Sequence, residues 1–195
     1  NGVSLTFGRY GSALGFERED PAGLYTFSRA YEDDTVSGVN GYDLGNIDST
    51  FTGSVEGLTV AYAGENFSIA ASFEEANDQN LDTEDLNLEL SFSYTGIENL
   101  TLGGGYFFDN QKVVAGGASS ERDVFNIHAA YTVGKALIAG ELINASDDTA
   151  NSGEDAFLVL VDYDFTDKLG AALRFSQWET TDVLESSKFT IAPNY

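Results

Sequence analysis

Apolar and polar residues alternate along several stretches of this chain, and the clearest runs from Asp85 to Gly96. In the sequence DLNLELSFSYTG, Leu90 and Phe92 lie on one side with other large apolar residues, while Glu89 lies on the opposite side with Asn and Ser. A period of two residues is typical of a β-strand with two different faces. The apolar face could pack in the core of a soluble sandwich or contact lipid around a membrane barrel.

The same alternation recurs along the rest of the chain, in NFSIAASFE, NLTLGGGYFF, VFNIHAAYT, AFLVLVDYDF and LGAALRFSQW. The strand VSLTFGR precedes these segments and SKFTIAPNY follows them. Asp48 to Ala63 is interpreted as one long strand with a bulge at Glu56 and Gly57, because a split there would leave LTVAY too short to cross a bilayer. The pattern predicts an all-β chain of about ten strands in a single domain, residues 1–195.

The predicted connections alternate between short turns and long polar loops. The short turns are residues 64–66, 96–99, 133–135 and 166–168, and the long loops read EANDQNLDTED, NQKVVAGGASSERD, NASDDTANSGED and ETTDVLESS. Tight turns at one end and long loops at the other are typical of outer-membrane barrels. The sequence therefore favours an antiparallel up-and-down transmembrane β-barrel in the bacterial outer membrane, with lipid against its apolar face.

Tyrosines precede the short turns on the apolar face, and such residues form girdles at membrane interfaces. The predicted girdle consists of Tyr62, Tyr94, Tyr131 and Tyr163. Phe73, Tyr106, Phe108 and Trp178 lie near the long loops and are candidates for the opposite girdle, although alternation places Trp178 on the face of Arg174.

The opposite face of the strands carries mostly small polar residues, which suit a water-filled lumen. This pattern predicts passive diffusion of small hydrophilic solutes and ions, without catalytic residues. The candidate pore-lining residues are Glu74, Asn87, Glu89, Asn126, His128, Asp162, Asp164 and Arg174.

The chain is strongly acidic, with a formal net charge of -23, and it contains no cysteine. A field of this sign excludes nucleic acid as a partner and favours cations in a pore. The loop DQNLDTED resembles part of a calcium loop but lacks its central glycine, so loose divalent-cation binding by acidic loops is the most that it indicates. His128 is the single histidine, which favours a hydrogen-bonded lumen residue over a metal ligand, and we expect no cofactor.

Residues 10–47 show broken alternation and are too long for an ordinary connection. They could fold inward and constrict the pore, or they could form an external loop with surface ion pairs. In the first case, opposed charges would create a transverse field across the lumen. The residues that would supply it are Arg9, Glu17, Arg18, Glu19, Asp20 and Arg29.

The segment GRYGSALGFEREDPAGLYTFSRAY resembles the OmpL-like β-barrel porins and the related phosphate-selective porins. The matching elements are Gly8 and Arg9, then Gly15, Phe16 and Glu17, then Phe27, Ser28 and Arg29. The resemblance implies a barrel of about sixteen strands, a loop folded into the pore and a possible homotrimer. This chain would then be a fragment that lacks several strands.

Two other classes of function compete with a channel. A soluble or surface-attached β-sandwich, acting as an adhesin or carbohydrate-binding module, would use the long acidic loops as its contact surface. A barrel enzyme such as an outer-membrane lipase would need a serine and a histidine near the rim, whereas His128 lies within a predicted strand. Partitioning into detergent separates the barrel from the sandwich.

Overall fold

A computed structural model describes residues 1–16, 25–26, 30–31, 54–75, 86–111, 120–147, 152–180 and 184–194. These residues form one antiparallel sheet in which ten strands follow one another in chain order, from β1 to β10. Among them, no helix combines the length and the apolar character that crossing a membrane requires. The predicted all-β, up-and-down architecture is confirmed.

The ten strands are 9 to 15 residues long. They are β1 (Gly2–Gly11), β2 (Ser54–Ala63), β3 (Phe67–Glu75), β4 (Leu86–Ile97), β5 (Leu100–Gln111), β6 (Ser120–Val133), β7 (Ala136–Asp147), β8 (Ser152–Thr166), β9 (Leu169–Thr180) and β10 (Leu184–Asn194).

Tight turns join alternate pairs of strands, as the sequence predicted. Asn99 and Gly134 adopt positive φ angles of 63° and 62° within two of these turns, a conformation that suits two-residue hairpins. The predicted bulge at Glu56 and Gly57 is wrong, because Glu56 pairs with Arg9 and Gly57 with Gly8 without a shift in register. Because both strands carry a glycine at this pair, no side chains crowd there. The two backbones therefore stay in register without the extra residue of a bulge.

At the other end of the sheet, the strands continue further than the alternation predicted. β5 and β6 remain paired as far as Gln111 and Ser120, and β7 and β8 remain paired as far as Asp147 and Ser152. The connections between these strands are therefore shorter than the predicted loops. The reason is that backbone hydrogen bonds hold a hairpin together without an apolar face.

The apolar side chains of the strands lie on one surface of the sheet, which we call the outer face, and they are exposed. Ile127 is 42% exposed and Val159 is 48% exposed, whereas the neighbouring Asn126 is fully buried on the opposite, inner face. Exposed apolar residues occur on all ten strands, for example Phe7, Val60, Ile69, Leu90, Phe108, Ile127, Leu142, Val159, Leu173 and Ile191. The sandwich alternative is wrong, because a sandwich buries the face that is exposed here.

The inner face has two regions of different character. Buried polar residues occur on β3, β4, β6, β7, β9 and β10: Ser72, Glu74, Asn87, Glu89, Asn126, Glu141, Arg174, Ser176 and Thr190. A buried apolar cluster also lies here, on β5 to β9: Phe107, Val124, Ala139, Ile143, Ala145, Ala156, Leu158, Leu160 and Trp178. The inner face therefore carries both a polar wall and a packing surface.

Candidate functional site

The eight predicted pore-lining residues all lie on the inner face, where alternation places them. Five of them are buried, namely Glu74, Asn87, Glu89, Asn126 and Arg174. His128 and Asp162 are half-buried, and Asp164 is exposed beside the turn between β8 and β9. Asp162 accepts a hydrogen bond from the Asn194 amide at 2.9 Å, which links β8 to β10. Contact of these side chains with a water path stays a prediction.

The chain that leaves β1 turns onto the inner face. We call its described residues, 12–16, 25–26 and 30–31, the inner segment. Ser12 and Leu14 are each 1% exposed. The carboxylate of Glu89 on β4 accepts hydrogen bonds from the Ser12 hydroxyl at 2.5 Å and from the Ala13 amide at 2.8 Å. A buried carboxylate of the sheet therefore holds the start of this segment.

Glu141 on β7 is the second attachment point of the inner segment. Its Oε1 accepts from the Phe16 amide at 2.7 Å and from the Asn126 side-chain amide at 2.6 Å. Its Oε2 accepts from the Tyr31 hydroxyl at 3.1 Å. Sequence reasoning missed Glu141, although the alternation of ALIAGELINA places it on the inner face, because Gly140 weakens that pattern.

Apolar packing also holds the inner segment against the sheet. Leu14 and Tyr31 belong to the same buried cluster as Leu160, and the Tyr31 ring meets the Trp178 ring edge to face at 6.4 Å. The Ser176 hydroxyl donates to the backbone carbonyl of Ala30. Trp178 is 5% exposed, so the suggestion that it joins an outer girdle is wrong; alternation correctly places it with Arg174.

Glycines of β5 allow other side chains to approach closely on the inner face. A Cβ at Gly105 would lie 2.2 Å from the Leu14 side chain and 2.1 Å from the Leu90 carbonyl oxygen. A Cβ at Gly103 would lie 2.3 Å from the His128 ring. The run GGGY therefore allows close approach on this face.

Replacing Gly105 with alanine is expected to lower the free energy of unfolding by about 1–3 kcal/mol, since both Leu14 and the β4 backbone would have to move. Urea titration followed by the fluorescence of Trp178, the single tryptophan, measures this change. Gly140→Ala is the matched control, because its Cβ would meet only the Leu158 carbonyl at an ordinary 3.6 Å. Equal stability of the two variants would contradict the packing described here.

The predicted constriction residues divide into two groups. Arg9 is exposed on the outer face, opposite Glu56 and on the same side of β1 as Phe7, so its predicted place across the lumen is wrong. Strand alternation imposes this position. The other candidates lie outside the described residues: Glu17, Arg18, Glu19, Asp20 and Arg29.

The four predicted girdle tyrosines lie near the short turns on the outer face, and each is exposed. Their exposed fractions are 38% for Tyr62, 40% for Tyr94, 45% for Tyr131 and 42% for Tyr163. Exposed rings at one end of a strand are consistent with contact at a membrane interface, which stays a prediction.

A cavity of about 400 Å³ lies on the inner face near the short turns. Its lining includes Thr101, His128 and Thr132, together with Phe16 and Tyr25 of the inner segment. The Phe16 and Tyr25 rings stack at 5.4 Å, and the His128 ring lies 5.9 Å from that of Phe16. In the part of the chain that the structure describes, no three His, Cys, Asp or Glu side chains form a metal-binding group.

Comparisons with known proteins agree with this geometry. A sequence profile of the family described as Gram-negative porin matches residues 3–182. A loop L8 deletion mutant of OmpT, an outer membrane protein of Vibrio cholerae, has 20% identity to the chain and a TM-score of 0.58, over 96% of this chain and 62% of that one.

Two further OmpT structures, both of in-vitro folded protein, are also similar. One aligns at 20% identity and a TM-score of 0.57, over 96% of this chain and 58% of that one. The other, a trimer form, aligns at 20% identity and a TM-score of 0.56, over 96% and 59%. The chain thus spans about three fifths of the length of these structures. No curated protein sequence matches it.

Proposed function

Because this chain belongs to the Gram-negative porin family, we propose that it lines a channel for passive diffusion of small hydrophilic solutes, with a preference for cations. The protein is located in the outer membrane. The motif from Gly15 to Glu17 supports a closer relationship to the OmpL-like porins. Covalent chemistry is not part of the proposal.

The observation that supports a channel best is the opposite character of the two faces. The outer face exposes apolar side chains on every strand, whereas the inner face carries Glu74, Glu89, Asn126 and Arg174. Only a sheet with lipid on one side and water or packed chain on the other satisfies both surfaces. In the whole protein, a closed barrel of about sixteen strands would complete this arrangement.

The inner segment is proposed to narrow the channel. Its hydrogen bonds to Glu89 and Glu141 hold it against the inner face, which supports an inward rather than an external position for this segment. A trimer, as in one OmpT structure, is proposed for the whole protein.

Cation preference is proposed from the balance of charge. The net charge is -23, and Glu74, Glu89 and Glu141 lie on the inner face with Arg174. A surface of this sign concentrates cations at a pore entrance and repels anions.

The double substitution of Asp162 and Asp164 by asparagine tests this preference. A unit charge about 4 Å away contributes about 1 kcal/mol in water, so the cation-to-anion permeability ratio is expected to fall about two- to fivefold. Asparagine keeps an oxygen that can accept from Asn194. Zero-current potentials across a planar bilayer in a potassium chloride gradient measure the ratio.

Asp167→Asn is the matched control, because Asp167 is exposed in the turn of the same hairpin. It removes one carboxylate charge away from the inner face, and the ratio should stay as in the wild type. Absence of any conductance would contradict a channel. An anion preference, or an equal effect of the control, would contradict the proposed role of the inner-face carboxylates.

A further inference from the structure

Oxygen-bearing side chains meet on the inner face of β1 to β4. The hydroxyls of Thr59 and Ser72, on β2 and β3, lie 2.9 Å apart. Glu74 on β3 and Glu89 on β4 are diagonal neighbours on adjacent strands, because Ser72 pairs with Glu89 and Glu74 pairs with Asn87. Together with Tyr10 at the end of β1, five oxygen-bearing residues from four strands thus form one group.

The register places glycines beside Glu74 on the two neighbouring strands. Glu74 pairs with Gly57 on β2, and Gly57 pairs with Gly8 on β1. At the level of Glu74, neither β2 nor β1 therefore carries a side chain. The Tyr10 hydroxyl at the end of β1 lies close to the side-chain hydroxyls of Thr59 and Ser72.

One carboxylate oxygen of the group is buried and lacks a hydrogen-bond partner among the described residues. It is Oε1 of Glu74, whose side chain is 2% exposed. A buried carboxylate oxygen without a partner is costly, and a second carboxylate beside it increases that cost. The unpartnered Glu74 oxygen therefore points to a ligand that supplies positive charge between the two carboxylates.

We propose that Glu74 and Glu89 bind a calcium ion, with the Tyr10 hydroxyl and the Ser72 and Thr59 oxygens completing its ligands. Two carboxylates match the charge of a divalent cation, and neutral hydroxyl oxygens supply further hard donors. Calcium tolerates an irregular set of oxygen ligands, whereas magnesium requires a regular octahedron. Because Glu89 also holds Ser12, the ion would sit where the inner segment leaves the sheet.

This site rests on the proposed function, since ions must reach the inner face through water. Its test is calorimetric titration of calcium chloride into the protein purified in detergent. Glu74→Gln is expected to weaken the tightest binding step at least about tenfold, because even indirect changes around metal sites reduce affinity by about 10- to 100-fold. Tyr10→Phe removes one neutral oxygen and should weaken binding less.

Glu65→Gln is the matched control for the other acidic groups, because Glu65 is exposed in the turn between β2 and β3. Its calcium affinity should equal that of the wild type. An unchanged affinity in Glu74→Gln, or an equal loss in Glu65→Gln, would overturn the proposal. Should Glu74→Gln fail to fold, Tyr10→Phe decides, and wild-type affinity in that variant would also overturn it.

Calorimetry separates this site from the channel itself, because binding is measured without conductance. A channel that conducts but binds no calcium would refute the site alone. Calcium binding that depends on Glu74, in a protein without conductance, would refute the channel and leave the site.

Discussion

Replacing Glu141 with alanine is expected to raise the single-channel conductance and to lower the free energy of unfolding. This carboxylate accepts from the Phe16 amide, the Asn126 amide and the Tyr31 hydroxyl. Each buried donor left without a partner costs about 1–3 kcal/mol, so a total loss of about 3 kcal/mol or more is expected. The inner segment would lose one of its two carboxylate attachments, and the passage that it is proposed to narrow would widen.

Single-channel recordings and urea titration measure the two effects in the same preparation. Glu141→Gln is the informative comparison, because its oxygen can still accept from Phe16 and Asn126 while the charge is lost. We expect it to keep most of the stability and a conductance near that of the wild type. Wild-type conductance and stability in Glu141→Ala would show that the segment does not depend on this attachment.

Replacing Ile127 with arginine is the second change with a large expected effect. Ile127 lies on the outer face within β6, paired with Gly104 and Leu142, and is 42% exposed. An arginine on the lipid face of a barrel costs about 2–4 kcal/mol near the bilayer midplane. The expected result is a matching loss of unfolding free energy in lipid vesicles, together with a smaller folded fraction.

Thr132→Arg is the control for this substitution, because Thr132 lies on the other face of the same strand and lines the cavity near the short turns. In contact with water, the same side chain should change stability little. If Ile127→Arg were as stable as the wild type, the outer face could not be the lipid face.

Alternation alone predicted the faces of the sheet correctly. Leu90, Ile127 and Val159 are exposed on one side, and Glu89 and Asn126 are buried on the other. The prediction of the two faces was correct because the side-chain period of a strand is fixed by backbone geometry and does not depend on distant contacts. The short turns were equally local, since Gly134 and Asn99 accept the left-handed conformation they need.

The site could be predicted only in part. The inner-face residues followed from alternation, but the pattern did not predict that Leu158 and Leu160 would form a buried cluster with Leu14 and Tyr31 of the inner segment. The contact between Phe16 and Glu141 joins residues 125 positions apart, and no local pattern encodes it. Arg9 was misplaced because its role was taken from its charge rather than from its position in β1.

The long separation between Phe16 and Glu141 also bears on how the molecule assembles. Each hairpin of the sheet joins neighbouring stretches of chain, whereas the inner segment cannot attach until β7 is in place. Contacts that form after the rate-limiting barrier change the unfolding rate rather than the folding rate. The attachment of the inner segment should therefore form late in folding. It should slow the unfolding of the inserted protein without slowing its insertion.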